Sequence, residues 1–315
     1  MAESTPAAKT ERSVFVYTTP PPRFIPDLFR AFGNRHPEIE TFVDHEPAAP
    51  FLERALRELE VGKCPADVMM LNRQQAEVLK SRGFLQPYRS PESQSFPQRC
   101  QDDDGFTTQV FMVPFSIAYN TGKVASLAVP RSYEDLLEPL WKGKLLFPDP
   151  ARSGSGVGWY SIMKSHYGEG FLHKLGEQEL ICKHPAEDCL AKGEGSMLVA
   201  ANVGQIEELK NRGAPVDWMP MSVMMVGGPH ACLFRHTRHT EEAKLWIDFL
   251  MSEEGQEIMG GYHIPNRPGV KIRDAVFATV LKRLEGHALT PFATQSGAEY
   301  NADLAQCIKR FKGGR

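Results

Sequence analysis

The chain has no apolar run approaching the ~20 residues that a membrane-spanning helix needs. It is therefore expected to be soluble throughout, reaching any membrane through a partner. Charge of one sign is also missing: 36 Lys+Arg stand against 39 Asp+Glu. That balance excludes the strong basic field that gathers nucleic acid or an anionic bilayer. The six cysteines, Cys64, Cys100, Cys182, Cys189, Cys232 and Cys307, contain no Cys-x-x-Cys pair and no zinc-ligand spacing. Most read as small buried hydrophobes, and a local disulfide between Cys182 and Cys189 is left open at this stage. Catalytic signatures are absent too. There is no Gly-x-Ser-x-Gly elbow, no phosphate-binding Walker loop and no His-Glu-x-x-His, and Gly154-x-Gly156-x-Gly158 lacks the dinucleotide spacing. The sequence thus offers no catalytic constellation and no cofactor motif, and an enzyme stands only as a second hypothesis.

With 315 residues, 42% of them hydrophobic, the chain is long for one compact lobe. Residues 1–12 are polar, lack the apolar stretch of a secretory signal, and read as a flexible leader. A β-branched and aromatic run, Ser13 to Thr19, is closed by Pro20 to Pro22 and followed by a helical pattern from Phe24 to Phe32. The order repeats: strand from Ile39 to His45, helix from Pro50 to Leu59, strand from Ala66 to Leu71, helix from Gln74 to Arg82. Such alternation predicts βαβ units and a parallel sheet covered on both faces. The run from Phe106 to Thr121 reads as a strand pair leading into a second α/β lobe. That lobe is expected to hold a strand near Leu145, a helix from Val157, a helix from Pro185, a strand near Ser196 and a helix from Val203. The stretch from Met221 to Phe234 brings the chain back, and Thr240 to Met259 reads as one amphipathic helix. The expected organisation is lobe 1 at 13–115, lobe 2 at 116–224 and a return to lobe 1 at 225–315, with the C-terminal helices packed on lobe 1. A chain that leaves a lobe and returns to it makes a cleft joined by hinge strands, the usual place for a small ligand.

Several short motifs carry a resemblance. Tyr17-Thr-Thr19, Pro65-Ala-Asp-Val-Met69 and Pro114-Phe-Ser-Ile-Ala-Tyr-Asn-Thr121 are among them. Others are Pro130-Arg-Ser-Tyr-Glu-Asp-Leu136, Trp141-Lys-Gly-Lys144, Phe147-Pro-Asp-Pro-Ala-Arg-Ser-Gly-Ser-Gly156, Ile247 to Gln256 and Ile264-Pro-Asn-Arg267. In order and spacing the chain from Val14 to Val270 resembles the type II periplasmic solute-binding proteins of ferric-ion-transporter type. The resemblance implies two α/β lobes, a periplasmic location, a monomer, and delivery of a captured solute to the membrane permease of an importer driven by ATP hydrolysis. A periplasmic sensor serving a signalling partner is the third reading.

The group's ferric-ion members resemble one another in a paired tyrosine, helped by a His and a Glu in strand-end loops. Here the corresponding places read Ala200-Ala-Asn-Val-Gly-Gln205, Thr18-Thr-Pro20 and Leu71-Asn-Arg73. A hard trivalent cation wants several anionic oxygens at once, so bare ferric ion is disfavoured, while an iron chelate stays open. The loops suit an anion instead. Ser153, Gly154, Ser155 and Gly156 stand just before a helical run, where backbone N–H groups converge at the positive end of the helix dipole. An ordinary Ser cap is the competing reading. Thr18 and Thr19 end a strand on the edge where α/β sheets present ligand loops, and Arg23 and Arg73 offer bidentate pairing. The amides of Asn72, Asn202 and Gln205 suit hydroxyl or amine groups, although capping competes for Asn202. His230 after Val226-Gly-Gly-Pro229 completes the candidates. The expected ligand is a small phosphorylated compound, phosphonate or carboxylate, held without turnover.

Overall fold

The computed structural model describes residues 12–19, 23–46, 48–124, 129–292 and 297–312. Residues 1–11 of the expected leader and the prolines at 20–22 lie outside them. In chain order the elements are β1 (Ser13–Thr18), α1 (Ile25–Arg35), β2 (Glu40–His45), α2 (Ala48–Glu60), β3 (Val68–Leu71), α3 (Arg73–Ser81) and β4 (Leu85–Gln86). Then come β5 (Thr107–Gln109), β6 (Phe111–Asn120), α4 (Thr121–Val124), β7 (Leu145–Pro148), α5 (Gly154–Gly176), β8 (Ile181–Lys183) and α6 (Ala186–Ala191). They are followed by β9 (Met197–Asn202), α7 (Val203–Asn211), β10 (Val216–Met219), β11 (Met224–Gly227), β12 (His230–Phe234) and α8 (Thr240–Met251). The last are α9 (Glu253–Met259), β13 (Ile264–Pro265), α10 (Ala275–Leu284), β14 (Leu289–Pro291) and α11 (Gly297–Phe311).

Contacts divide the chain into two compact units, Met1–Met112 with Gly228–Asp274, and Val113–Gly227 with Ala275–Arg315. The chain passes from one to the other three times. In the first unit the strand order is β2-β1-β3-β12, with β4 and β5 both on β12. β1 runs parallel to β2 and β3, whereas β12 is antiparallel to β3. The wholly parallel sheet expected from βαβ alternation is thus broken by the strand that returns from the second unit and enters the sheet from its opposite end. Tyr17, Phe51, Met69, Leu79, Cys232 and Phe234 form the apolar cluster beneath α2 and α3. Burying such side chains stabilises the unit by ~1.5–3 kcal/mol each.

The second unit repeats this logic: β8, β7 and β9 are parallel, and β6 joins β9 antiparallel before pairing with β11 and β10. Its long helix α5 is interrupted at Gly168, where φ is 77°. One expectation is corrected here. The C-terminal helices pack on the second unit, not the first. Arg283 on α10 bonds Glu207 Oε1 at 2.7 Å and Asp217 Oδ1 at 2.8 Å, with its guanidinium 4.0 Å from the Trp218 ring centroid. On α11, Asp303 accepts from Ser161 Oγ at 2.7 Å and from Lys164 Nζ at 3.0 Å, while Phe311 meets Phe147 edge-on at 5.0 Å. An amphipathic pattern tells that a helix buries one face, not which of two cores receives it.

A further difference has a local cause, and one open question is answered. The helix expected from Thr240 to Met259 is two helices, because Ser252 leaves the helical conformation (φ −63°, ψ 165°) and caps α9 through Gly255 N. Cys182 and Cys189 are free thiols; the Cys182 Sγ lies 3.5 Å from the Phe311 carbonyl, directed at α11. No helix among the described residues is long and apolar enough to cross a membrane.

Candidate functional site

In a doubly wound sheet, ligand loops lie beyond the carboxyl ends of the strands, and in each unit the sequence candidates gather at that edge. In the first unit Thr18 closes β1 and is fully buried; its carbonyl accepts from Glu46 N and faces His45 Nδ1 at 3.0 Å. Thr19 is half-buried, and its N–H and hydroxyl both donate to Met70 O, at 3.0 and 3.3 Å. The hydroxyl proton expected to reach a ligand is therefore directed into the sheet. Asn72 follows β3 as the cap of α3: its Oδ1 accepts from Gln75 N at 2.9 Å while Gln75 Oε1 accepts from Asn72 N. This capping box closes the α3 N-terminus from within. Arg73 begins α3 half-buried, and Arg23 is exposed.

His230 opens β12 opposite Leu71 and Gln109. It is 2% exposed, with Nδ1 3.1 Å from Thr107 Oγ1. Burial, helped by the charge of Arg73, pushes its pKa down to about 3. That is the environment of a neutral imidazole held by the sheet, with Arg73 close by.

The second unit holds the remaining candidates. Asn202 ends β9 and caps α7, its Oδ1 accepting from Gly204 N at 3.1 Å and Gln205 N at 3.4 Å. Its own N–H donates to Glu187 Oε1 at 3.0 Å, and burial holds that carboxyl above the ordinary range. Ala200 and Ala201 are fully buried, and Gln205 is exposed.

The start of α5 differs from those of α3 and α7. Ser153 sits at the cap position with extended backbone (φ −133°, ψ 116°) yet makes no side-chain cap bond. Its Oγ instead lies 2.7 Å from Ser155 Oγ. Ser153, Gly154 and Ser155 are half-buried, so two hydroxyls and the first-turn N–H groups meet at a face that solvent reaches. Gly156 is buried, and a Cβ there would stand 2.7 Å from Pro148 O and 3.1 Å from the Phe147 ring. Its glycine is thus required by helix-on-strand packing, a second reason for glycine beside the expected opening of the loop to a ligand.

Sequence reasoning missed what holds this loop. Asp149 accepts from Ala151 N through Oδ1 at 3.1 Å, and its carbonyl accepts from Arg152 N and Ser153 N at 2.9 and 2.8 Å. Lys312, just past α11, donates to both carboxylate oxygens, at 3.0 and 2.8 Å. Pro148-Asp-Pro150 is a turn signal that could have identified Asp149; a partner 163 residues away leaves no local trace. Among the described residues no group of three or more His, Cys, Asp or Glu is placed to hold a metal ion.

Residues 64–274 match the family model described as bacterial extracellular solute-binding protein. Three solved structures share the fold. The periplasmic binding protein P5PA is 23% identical, with a TM-score of 0.76, covering 96% of this chain and 100% of that one. The periplasmic binding protein AfuA from Actinobacillus pleuropneumoniae, with exogenous fructose-6-phosphate bound, is 17% identical at TM-score 0.76, covering 95% and 98%. Iron-bound HitA from Pseudomonas aeruginosa is 19% identical at TM-score 0.75, covering 94% and 99%.

Proposed function

Since the chain belongs to the bacterial extracellular solute-binding protein family, and so to the substrate-binding components of ATP-driven importers, we propose that its solute is a small anion: a phosphorylated compound, a phosphonate or a carboxylate. The observation that carries this reading is the open start of α5. Asn72 and Asn202 close α3 and α7 with their own side chains. Ser153 leaves α5 uncapped beside a second hydroxyl. First-turn N–H groups with no side-chain cap among the described residues, at the positive end of a long helix, are suited to an anionic oxygen and need no charged side chain. The anchor is Ser153 to Ser155, with the amide of Gln205 available on the neighbouring α7. Bound solute passes to a membrane permease without chemical change.

Fructose-6-phosphate bound to AfuA and iron bound to HitA mark the two chemistries to weigh. The buried alanines and the cap at Ala200 to Asn202 supply no phenolate or carboxylate for iron, which favours the phosphorylated class. Thermal-shift and calorimetric titration with sugar phosphates, phosphonates, carboxylates, neutral sugars, polyamines and a labile ferric salt tests the reading. One anionic class is expected to stabilise the protein, by ~2.7 kcal/mol at a hundredfold excess over Kd. Stabilisation by neutral or cationic solutes alone, or a phenolate-to-iron absorption band, would overturn it.

A further inference from the structure

An unassigned cavity of the first unit lies away from Thr19 and Asn72, at the opposite end of the sheet. It measures about 640 Å3 and opens where Cys64 to Asp67 lead into β3 and where β12 runs out into His236 to His239. β3 separates it from Asn72 by four residues, roughly 13 Å of strand at 3.3 Å per residue. Its volume falls within the range of small-molecule sites, ~300–1,000 Å3.

The lining has two characters. Leu59, Ala66 and Phe234 are buried and give an apolar floor. Lys63 and Arg238 stand exposed at the rim, and neither side chain has an ion-pair or hydrogen-bond partner among the described residues. The one lining carboxylate, Asp67, is 2% exposed and already engaged. It accepts from Phe15 N at 2.8 Å and from the Thr237 hydroxyl, and lies 3.3 Å from His239 Nδ1. Its charge is thus turned into the protein, leaving the rim cations uncompensated beside an apolar hollow. A neutral apolar ligand would leave both cations unused, and a bare inorganic anion would leave the floor wet.

We propose that this cavity is a second ligand site, separate from the α5 anchor, which takes an apolar aryl or alkyl body carrying one anionic group. Lys63 and Arg238 hold the anionic group at the rim, and Leu59, Ala66 and Phe234 cover the body.

The test is fluorescence titration of the full chain with 1-anilinonaphthalene-8-sulfonate and with its uncharged parent, N-phenyl-1-naphthylamine. The anionic dye is expected to saturate at one equivalent and to bind at least tenfold more tightly than the neutral one. Lys63→Glu with Arg238→Glu should weaken the anionic dye at least tenfold with the melting temperature unchanged, since both residues are exposed and unpaired. Ser153→Ala with Ser155→Ala should leave dye binding unaltered, which separates this site from the proposed solute anchor. Equal affinity for the two dyes, or charge-reversal variants that bind the anionic dye as well as the parent protein does, would overturn the proposal.

Discussion

Lys312 donates to both carboxylate oxygens of Asp149, at 3.0 and 2.8 Å, tying the residue after the last helix to the loop that opens α5. Burial raises the Asp149 pKa, but the Lys312 bond, the Ala151 N–H and the lysine charge outweigh it and hold the carboxyl below the ordinary range. A depressed carboxylate contributes stability that is present above its unfolded pKa and is lost as pH falls through the folded one. Lys312→Met is therefore expected to cost on the order of 1 kcal/mol at pH 7, discounted because Lys312 is partly exposed. The deficit should shrink below pH ~4, and urea unfolding at pH 7 and pH 3 measures it. A deficit of the same size at both pH values would show that the ion pair contributes nothing.

Ser153→Ala and Ser155→Ala should each weaken the preferred anion by ~1–3 kcal/mol, the range for removing a hydrogen bond to a charged group. Ligand-free melting temperatures should stay unchanged, since Ser153 does not cap the helix. Gly154→Val is expected to block ligand approach. Gly156→Val should instead destabilise the free protein, because its side chain would meet Pro148 O. Calorimetry and unfolding on the same four proteins separate anchoring from packing. Full affinity in both serine variants would leave α5 with no part in recognition.

Asn72→Ala and Asn202→Ala test the reverse assignment. Each removes a side-chain cap seen in the structure, at ~0.5–2 kcal/mol of stability. Each is expected to lower the melting temperature of the free protein while changing ligand affinity much less than the serine variants do. An affinity loss larger than the stability loss would return these amides to the recognition set.

How much of this was legible depended on the range over which each feature is encoded. Local periodicity placed β1, α1, β3, α3, β7 and α7 within a few residues of their bounds, because burial of alternate or i, i+4 positions writes itself into adjacent sequence. Three-residue β8 and the edge pairing of β10 with β6 carry too little pattern to stand out. The assignment of α10 and α11 to the wrong unit arose because Arg283 and Asp303 find partners more than 60 residues away. At the site, sequence could nominate Ser153 and Asn202 alike as caps or ligands. Only hydrogen-bond geometry distinguishes the capped helix from the open one.

His230 and His263 set an acid limit on the first unit. Burial lowers both, each to about 3, with Arg73 adding to the effect on His230 and Arg23 to that on His263. Between that value and the unfolded value near 6.5 the unfolded chain binds protons that the folded chain does not. Stability is therefore complete above pH ~6.5 and falls as pH drops, by up to ~1.4 kcal/mol per pH unit for each group. His263 stacks on Phe111 with ring centroids 3.9 Å apart. His263→Phe keeps a ring there and removes the titration. Its unfolding free energy should fall less steeply from pH 6.5 to 4.5 than that of the parent. Parallel slopes would rule His263 out as a source of the acid sensitivity.

Gly228 is where backbone geometry leaves the chain no alternative. Its φ is 147°, and a Cβ would lie 2.0 Å from Phe111 O and 2.9 Å from Gln109 Nε2. The two strands meeting there are fixed by Val110 N donating to Pro229 O at 2.9 Å, by Gln256 Nε2 donating to Val110 O, and by Asn266 Nδ2 donating to Gln109 O. Any side chain at 228 must displace backbone that these bonds hold, not the tip of a flexible group. Gly213 is the control: its φ is 88°, but nothing lies within 4 Å of its Cβ position. Gly213→Ala is expected to cost only the left-handed backbone penalty, ~1–2 kcal/mol. Gly228→Ala adds the collision and should exceed ~4 kcal/mol, the range reserved for core disruption. Urea unfolding of both variants decides it, with soluble yield as the fallback readout if Gly228→Ala fails to fold. Equal costs would mean that the strands move apart freely at 228 and that the close approach to Phe111 is no constraint.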